Sequence, residues 1–261
     1  MAAILLTGAS GNIGTVLTAY LKKKHDLTLV DIDFSDFPDS LKEGTTIREL
    51  DLTNPENVNG LFSGIDYVIH LAGDPSPDAK FYDSLIDLNY KVPHNIFREV
   101  VKDNSSVKRV IFASSVHAIG GYPDNVQVKT SDYPRPQDLY GVSKVYMEAL
   151  ASYHAYHSNK EFIGIRIGGF DSDIQSDKVD ADGLATHLSK RDMCHLIDCC
   201  LNAQLQEPFL LVNGVSNNRF PRMDISQAYF DIGYTPQDDA FKLYADGNYD
   251  FTEEEDVEIE D

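Results

Sequence analysis

A chain of 261 residues with 42 acidic against 22 basic side chains carries a formal net charge of −20, and so negative a surface argues against nucleic acid as a partner. The length supports a substantial core, and with no linker-like stretch inside it the chain reads as one domain over 1–251, followed by an acidic tail at 252–261 expected to be disordered. No apolar run is long enough to cross a bilayer, so no membrane partner is expected.

The chain opens on an apolar run, Ala2 to Leu6, that reads as a buried strand and breaks into Thr7-Gly8-Ala9-Ser10-Gly11-Asn12-Ile13-Gly14. No signal peptide is expected, because the chain begins directly on this core strand. Three glycines at a spacing of three suit a strand-to-helix turn: Gly8 for the tight turn, Gly11 for approach to a pyrophosphate, Gly14 for close helix packing. The phosphates of a dinucleotide would then meet the free N–H groups of the helix N-terminus. Val16 to Lys24 continues as that helix, and Leu27 to Asp31 is a second strand whose terminal acid stands where adenosine ribose hydroxyls are met.

A polar loop follows at 33–43, then a short strand over Thr46–Leu50 ending at Asp51-Leu52. Asp51 reads equally as a contact to an adenine amino group or as part of the polar start of a short helix beginning near Thr53. Tyr67 to Gly73 is a continuous apolar strand with the small exit Ala72-Gly73, which leaves room for ribose or phosphate. Strand and helix alternating in this way predict a doubly wound α/β fold with a parallel sheet.

Phe81 to Val101 reads as one long helix, with Leu85, Leu88, Val92 and Ile96 on one stripe, Asn89 inside it, and a bend at Pro93. Asn89 is either a satisfied core amide or the holder of an ordered water. The strand Val107–Ala113 delivers Ser114 to His117 to the carboxyl edge of the sheet, where such folds bind ligands. Residues 120–137 form a proline-containing loop expected to wall a pocket, and Asp138 to Tyr156 is a helix carrying Tyr140 and Lys144. These two are four apart, on one helix face, so a lysine ammonium is expected to pull the phenol toward neutral pH. After the strand Phe162–Ile167, residues 168–188 are rich in glycine and aspartate and read as a mobile flap. Elements over 189–236 complete the pocket. Cys194, Cys199 and Cys200 lie in a helix without metal-ligand spacing and read as reduced core thiols of a cytoplasmic protein, with no metal expected. His154 and His157 are expected at solvent.

These pieces together resemble the extended short-chain dehydrogenase/reductase family, over nearly the whole chain. The matching segments are Thr7 to Gly14, Asp31, Asp51-Leu52, His70 to Gly73, Asn89, Ser115, Tyr140 with Lys144, and Arg166-Ile167-Gly168. The resemblance implies a Rossmann fold with a small carboxyl-terminal substrate-binding part. It implies hydride transfer with NAD, bound by Gly8, Ser10, Gly11, Asn12, Ile13, Gly14, Asp31, Ile32, Asp51, Leu52, Leu71, Ala72, Gly73, Tyr140, Lys144 and Ile167. Tyr140 is implied as acid/base, Lys144 as holder of the nicotinamide ribose, Ser115 as substrate orienter, and Asn89 as support of a proton relay. Asp31 implies NAD over NADP, because a carboxylate repels a 2′-phosphate.

A closer similarity is to uronate dehydrogenases and archaeal NAD-dependent glucose-6-phosphate dehydrogenases, carried by Phe112 to Ser115 with His117 and Gly120, Leu139 to Lys144, and Asn213 to Asn218. It implies oxidation of a sugar, sugar acid or sugar phosphate at C1 to a lactone, with Ser76, Ser115, Val116, His117, Tyr140 and Gly169 around the substrate. It also implies a homo-oligomer face on the helices beginning at Phe81 and Asp138. The chain departs from the uronate pattern at Val116 and Gly169, each of which lacks a hydrogen-bonding side chain. It departs again at Asp182, which aligns with the arginine that pairs with a sugar carboxylate. Arg191, Arg219 and Arg222 are candidate replacements, each read first as a solvated surface residue. Two other functions stay open: a nucleotide-sugar epimerase or dehydratase, for which the segment after Ile167 looks short, and a silent NAD-binding regulator, which would not need Ser115, Tyr140 and Lys144 together.

Overall fold

A computed structural model describes residues 1–171, 174 and 179–246. The acidic tail and residues 172–173 and 175–178 of the expected flap lie outside the described residues. In chain order the strands are β1 (Ala3–Thr7), β2 (Asp26–Asp31), β3 (Thr46–Glu49), β4 (Tyr67–His70), β5 (Arg109–Ser115), β6 (Glu161–Ile167), β7 (Gly169–Phe170), β8 (His187–Leu188) and β9 (Phe209–Gly214). The α-helices are α1 (Asn12–Leu21), α2 (Asp39–Lys42), α3 (Val92–Val100), α4 (Leu139–Tyr156), α5 (Ala181–Thr186), α6 (Lys190–Asn202), α7 (Ser226–Ile232) and α8 (Ala240–Asp246).

One parallel sheet runs β3-β2-β1-β4-β5-β6-β9, while β7 and β8 pair separately. The expected doubly wound Rossmann architecture is borne out. The order reverses between β1 and β4, and this switch point opens a crevice at the carboxyl edge. Register sets Thr7 beside both Val30 and His70, and Ser115 beside Ile167, so the chemistry-bearing strand ends share one edge.

The strands are apolar without alternation because both faces are covered. Ile4, Leu6, Leu29, Ile111 and Ile163 pack with Val16, Leu17, Met193 and Ile197 of α1 and α6. Leu5, Val30, Val68, Val110 and Phe112 point the other way, onto Ile96, Phe97, Met147 and Ala151 of α3 and α4. Full burial of each such side chain contributes about 1.5–3 kcal/mol. Arg109 closes the carboxyl end of α6, its Nη1 and Nη2 donating to the carbonyls of Cys200 (2.5 Å), Leu201 (3.2 Å) and Ala203 (2.8 Å).

Some local expectations need correction. The helix expected over Phe81–Val101 is two windings. Phe81–Lys91 coils with i→i+5 bonding, the Val92 N–H donating to Asp87 O, before α3 begins beside Pro93. Proline has no N–H to donate, so the change of winding falls where the ladder would be broken anyway. Residues 184–188, read as part of a loose flap, include buried Leu184, Thr186, His187 and Leu188. His154 is half-buried, its ring stacked on Phe162 and edge-on to Phe97, rather than at solvent. Cys194 and Cys200 are buried and Cys199 half-buried, none in a disulfide. Burial pushes the Cys199 thiol up to about 11, which makes it a poor nucleophile. Among the described residues no helix is long and apolar enough to cross a membrane, and no cluster suits a metal ion.

Candidate active site

The crevice at the switch point holds a cavity of about 580 Å³. Its floor is the turn between β1 and α1. Gly8 has φ +70°, and a Cβ there would lie 2.7 Å from Ala72 N, so the turn needs both the left-handed backbone and the absent side chain. A Cβ on Gly14 would lie 2.2 Å from Gly8 O, so helix and turn touch directly. A Cβ on Gly11 would meet only Gly8 O, at 3.4 Å. Gly11 is also the N-cap of α1 and offers no side-chain cap, so the first helical N–H groups face the cavity without a side-chain acceptor.

Asp31 closes one end of this cavity. Its Oδ2 accepts from Ser10 N–H at 2.9 Å and its Oδ1 from Ile32 N–H at 2.7 Å, so one carboxylate ties the β2 end to the glycine turn. Each oxygen keeps a lone pair for a ribose hydroxyl. Lys144 is the only Lys or Arg among the described lining residues, so a 2′-phosphate near Asp31 would find no counter-charge. Asp51 lines the cavity too, and its Oδ1 accepts from Thr53 N–H (2.9 Å) and Oγ1 (2.6 Å), which pulls its carboxyl below the usual range. The following short helix is capped by Asn54, whose side chain accepts from Glu56 N–H at 3.0 Å. Fit to a dinucleotide follows from these features: an uncapped helix N-terminus, a ribose-matched acid, and small residues at Ala72 and Gly73 on the opposite lip.

At the inner end stand Ser115, Tyr140 and Lys144. The Tyr140 hydroxyl is hydrogen-bonded to the Ser115 side chain, and Ser115 Oγ also accepts from His117 N–H at 3.2 Å. Lys144 Nζ donates to Ala113 O at 2.9 Å and lies 5.2 Å from the centre of the Tyr140 ring. The expected pull of Lys144 does not set the direction of the phenol's shift. Burial pushes Tyr140 up from 10.0, and the Ser115 hydrogen bond only partly opposes it. Burial also pushes Lys144 down, from 10.5 to about 8. Desolvation is therefore the largest cause for both groups.

A second cavity, of about 350 Å³, adjoins the first across Tyr140 and Ser115. Val116, His117, Gly169, Gly120, Gln137, Asp124, Asp182, Thr186 and Arg222 line it. His117 Nδ1 is 2.6 Å from Asp138 Oδ2 and its ring sits edge-on to Tyr140 at 5.4 Å, so the histidine is held from two sides. Arg222 is 6% exposed, and it pairs through Nε with Asp182 Oδ1 at 3.3 Å and through Nη1 with Asp124 Oδ1 at 3.4 Å.

Residues 4–170 match the model of the NAD dependent epimerase/dehydratase family. The chain belongs to that family. Among curated relatives, the NAD-dependent glucose-6-phosphate dehydrogenase of Haloferax volcanii is 33% identical over 94% of this chain and 96% of its own length. The L-arabinose 1-dehydrogenase (NAD(P)(+)) of the same organism is 30% identical over 92% of this chain and 98% of its own. Among solved structures, a mutant of uronate dehydrogenase from Agrobacterium tumefaciens complexed with NAD superposes with a TM-score of 0.81 at 27% identity. The match covers 98% of this chain and 92% of that one. The resemblances read from the motifs are borne out, and NAD is the cofactor of the family.

Within this family frame, every residue expected at the cofactor lines the larger cavity: Gly8, Ser10 to Gly14, Asp31, Ile32, Asp51, Leu52, Leu71, Ala72, Gly73, Tyr140, Lys144 and Ile167. Asn89 lines neither cavity. It is 1% exposed, its Oδ1 accepts from Asp74 N–H at 2.7 Å, and its Nδ2 donates to Asp74 O (3.1 Å) and Ser143 Oγ (3.0 Å). These bonds brace the Asp74 segment against α4. Ser76 is also outside both linings, with Pro75 standing there instead. Sequence reasoning missed Asp74, Pro75 and Phe170 of the larger cavity and undervalued Arg222, which is buried rather than solvated. The other two candidate cations are spent outside the cavities: Arg191 pairs with Asp238 and Arg219 with Asp239. The run Phe220-Pro221-Arg222 carries no signal of the arginine's burial; only the contacts across the chain do.

Proposed function

We propose that this chain oxidises the C1 hemiacetal carbon of a monosaccharide with NAD, giving a lactone. The observation that carries this reading is the adjacency of the two cavities across a single Ser115–Tyr140 wall, one fitted to a dinucleotide and the other lined by sugar-sized polar groups. Bound NAD supplies the nicotinamide carbon that takes the hydride. The chain's own residues handle the proton and the geometry. Ser115 Oγ holds the C1 oxygen, and the Tyr140 phenolate takes its proton as the carbonyl forms, leaving the neutral phenol. Lys144, fixed by Ala113 O, holds the ribose side, and its ammonium stabilises the phenolate form of Tyr140. Burial holds the Tyr140 phenol above its ordinary value, so oxidation is expected to quicken as pH rises.

The relatives support a sugar dehydrogenase by name, with glucose 6-phosphate, L-arabinose and uronate among them. A nucleotide handle, as an epimerase would grip, needs more room than a cavity of about 350 Å³ provides beside the catalytic wall. The reading includes one NAD-binding domain whose residues after 168 complete the sugar side, and a cytoplasmic enzyme, supported by three cysteines outside any disulfide. It also includes a homodimer through the Phe81–Lys91 segment and α4, supported by exposed Tyr82, Leu139, Val142 and Tyr153. NADH formation across a panel of aldoses, uronates and glucose 6-phosphate tests the activity. Tyr140→Phe is expected to keep NAD affinity by calorimetry and to lose about 100-fold or more in kcat. Normal turnover in that variant removes Tyr140 from the mechanism.

A further inference from the structure

We propose that the second cavity selects an uncharged aldose over sugar acids and sugar phosphates, with Asp182 and Asp124 as specificity-determining residues that neutralise Arg222. The inference rests on the sugar-dehydrogenase reading above and deepens it.

Among the described residues Arg222 is the only Lys or Arg lining this cavity, so it is the one candidate receptor there for a substrate carboxylate or phosphate. Its guanidinium is already committed. Nη2 donates to Tyr122 O at 2.7 Å and Nη1 to Pro123 O at 3.3 Å, while Nε and Nη1 face the Asp182 and Asp124 carboxylates. The two carboxylates outnumber the one cation, and a third anion would have to displace one of them. They are also more exposed than the cation: the side chain of Asp124 is 92% and that of Asp182 51% exposed, against 4% for Arg222. An incoming anion therefore meets negative charge at the mouth before it meets the guanidinium.

The arrangement is held from both sides, so a swing of Arg222 toward a ligand is opposed. Arg222 N–H donates to Ala185 O at 3.2 Å, and Val128 N–H donates to Arg222 O at 2.8 Å. On the other side, Asp180 caps α5 through Gly183 N–H at 2.9 Å, and Thr186 Oγ1 donates to Asp182 O at 2.8 Å. A planar guanidinium fixed in a fork keeps its direction better than a lysine would. What the pair offers a ligand is acceptors. Ionised carboxylates accept and never donate, and a neutral aldose presents hydroxyl donors to match, whereas a carboxylate or phosphate presents only acceptors. Burial pushes the Asp182 carboxyl up, and Arg222 only partly opposes it, so added negative charge there is further disfavoured.

The test is kcat/KM with saturating NAD for glucose, galactose and arabinose against glucuronate, galacturonate and glucose 6-phosphate, in the wild type, Asp182→Asn and Asp124→Asn. The neutral aldoses are expected to lead by about 100-fold, the scale of one like-charge juxtaposition. Asp182→Asn is expected to shrink that ratio at least about 10-fold, mainly through KM for the acids, because Arg222 is released to them. Asp124→Asn, at a position too exposed to affect folding, shifts the ratio the same way by less. A wild type that prefers an acid or a phosphate overturns the inference and leaves the dehydrogenase reading standing, as does a ratio unmoved in both variants. Silence with every sugar, with NAD binding intact by calorimetry, overturns the dehydrogenase reading and the inference together.

Discussion

Lys144→Met is expected to make the cofactor-free protein more stable while removing its activity. Lys144 is 5% exposed, and burial brings it from 10.5 to about 8, with Asp74 pulling weakly the other way. That difference corresponds to about 3 kcal/mol of penalty for holding the ammonium in the folded state at pH 7. Methionine removes the charge and fills similar volume with an adaptable side chain. It also loses the bond to Ala113 O, which subtracts about 1 kcal/mol. The net expectation is a gain of about 2 kcal/mol, or roughly 4–8 °C in Tm for a chain of this size. The pH dependence gives the sharper check. The folded protein releases this proton from about 8, whereas the unfolded chain keeps it to about 10.5, so between those values the unfolded state binds more protons and wild-type stability rises. The advantage of the variant is therefore full below pH 8 and closes toward 10.5. Urea unfolding of both proteins without NAD, at pH 7 and near pH 10, measures it. A variant less stable than wild type at pH 7, or a difference that does not change with pH, refutes the reasoning.

Two further outcomes follow from the same geometry. Asp31→Ala removes the acceptor for Ser10 and Ile32 N–H and the repulsion toward a 2′-phosphate, so calorimetry should show weaker NAD binding and an NAD-to-NADP preference reduced by about 10-fold or more; an unchanged preference would count against its ribose role. Glu148→Gln takes the counter-charge from Arg166, which is 1% exposed and bonded to Glu148 through Nε and Nη2 at 2.9 Å each, and should cost about 3–5 kcal/mol in urea unfolding. A loss below about 1 kcal/mol would mean that the buried pair is not what fastens α4 to β6.

The cofactor side was legible in the residues because its signals are local. A glycine turn between a strand and a helix, an acid at the end of the next strand, and a Tyr–Lys pair one helical turn apart all bring their partners within a few residues or one strand spacing. The sugar side was not legible in the same way. Arg222 meets Asp182 and Asp124 only through tertiary packing, and an arginine followed by Met223 and Asp224 reads as surface until Ala185, Tyr122 and Val128 are folded around it. The phenol of Tyr140 shows a different limit. Spacing predicts that Lys144 is near, but the direction in which each group shifts depends on how much water both have lost, which no spacing reveals. The winding of Phe81–Lys91 is hidden for a third reason: i→i+5 and i→i+4 coils have apolar stripes too alike in period to separate over three turns.

These differences follow the line between the two cavities. The family match ends at residue 170, after the strands that build the dinucleotide crevice and the helix that carries Tyr140 and Lys144. Asp182 and Arg222 lie beyond it, and Asp124 sits in the loop between β5 and α4. The two sets meet at the wall formed by Ser115 and Tyr140, which line both cavities. A side chain at 182 or 222 can therefore change the charge presented to a sugar without touching the glycine turn, Asp31 or the bond from Lys144 to Ala113 O. The wall of Ser115 and Tyr140 stays where the sheet edge puts it, while the charge lining the second cavity depends on a loop, a six-residue helix and the segment before α7. Such a division lets one crevice serve neutral and anionic sugars by exchange of a few groups on its far side, and here the groups present are two carboxylates around one arginine.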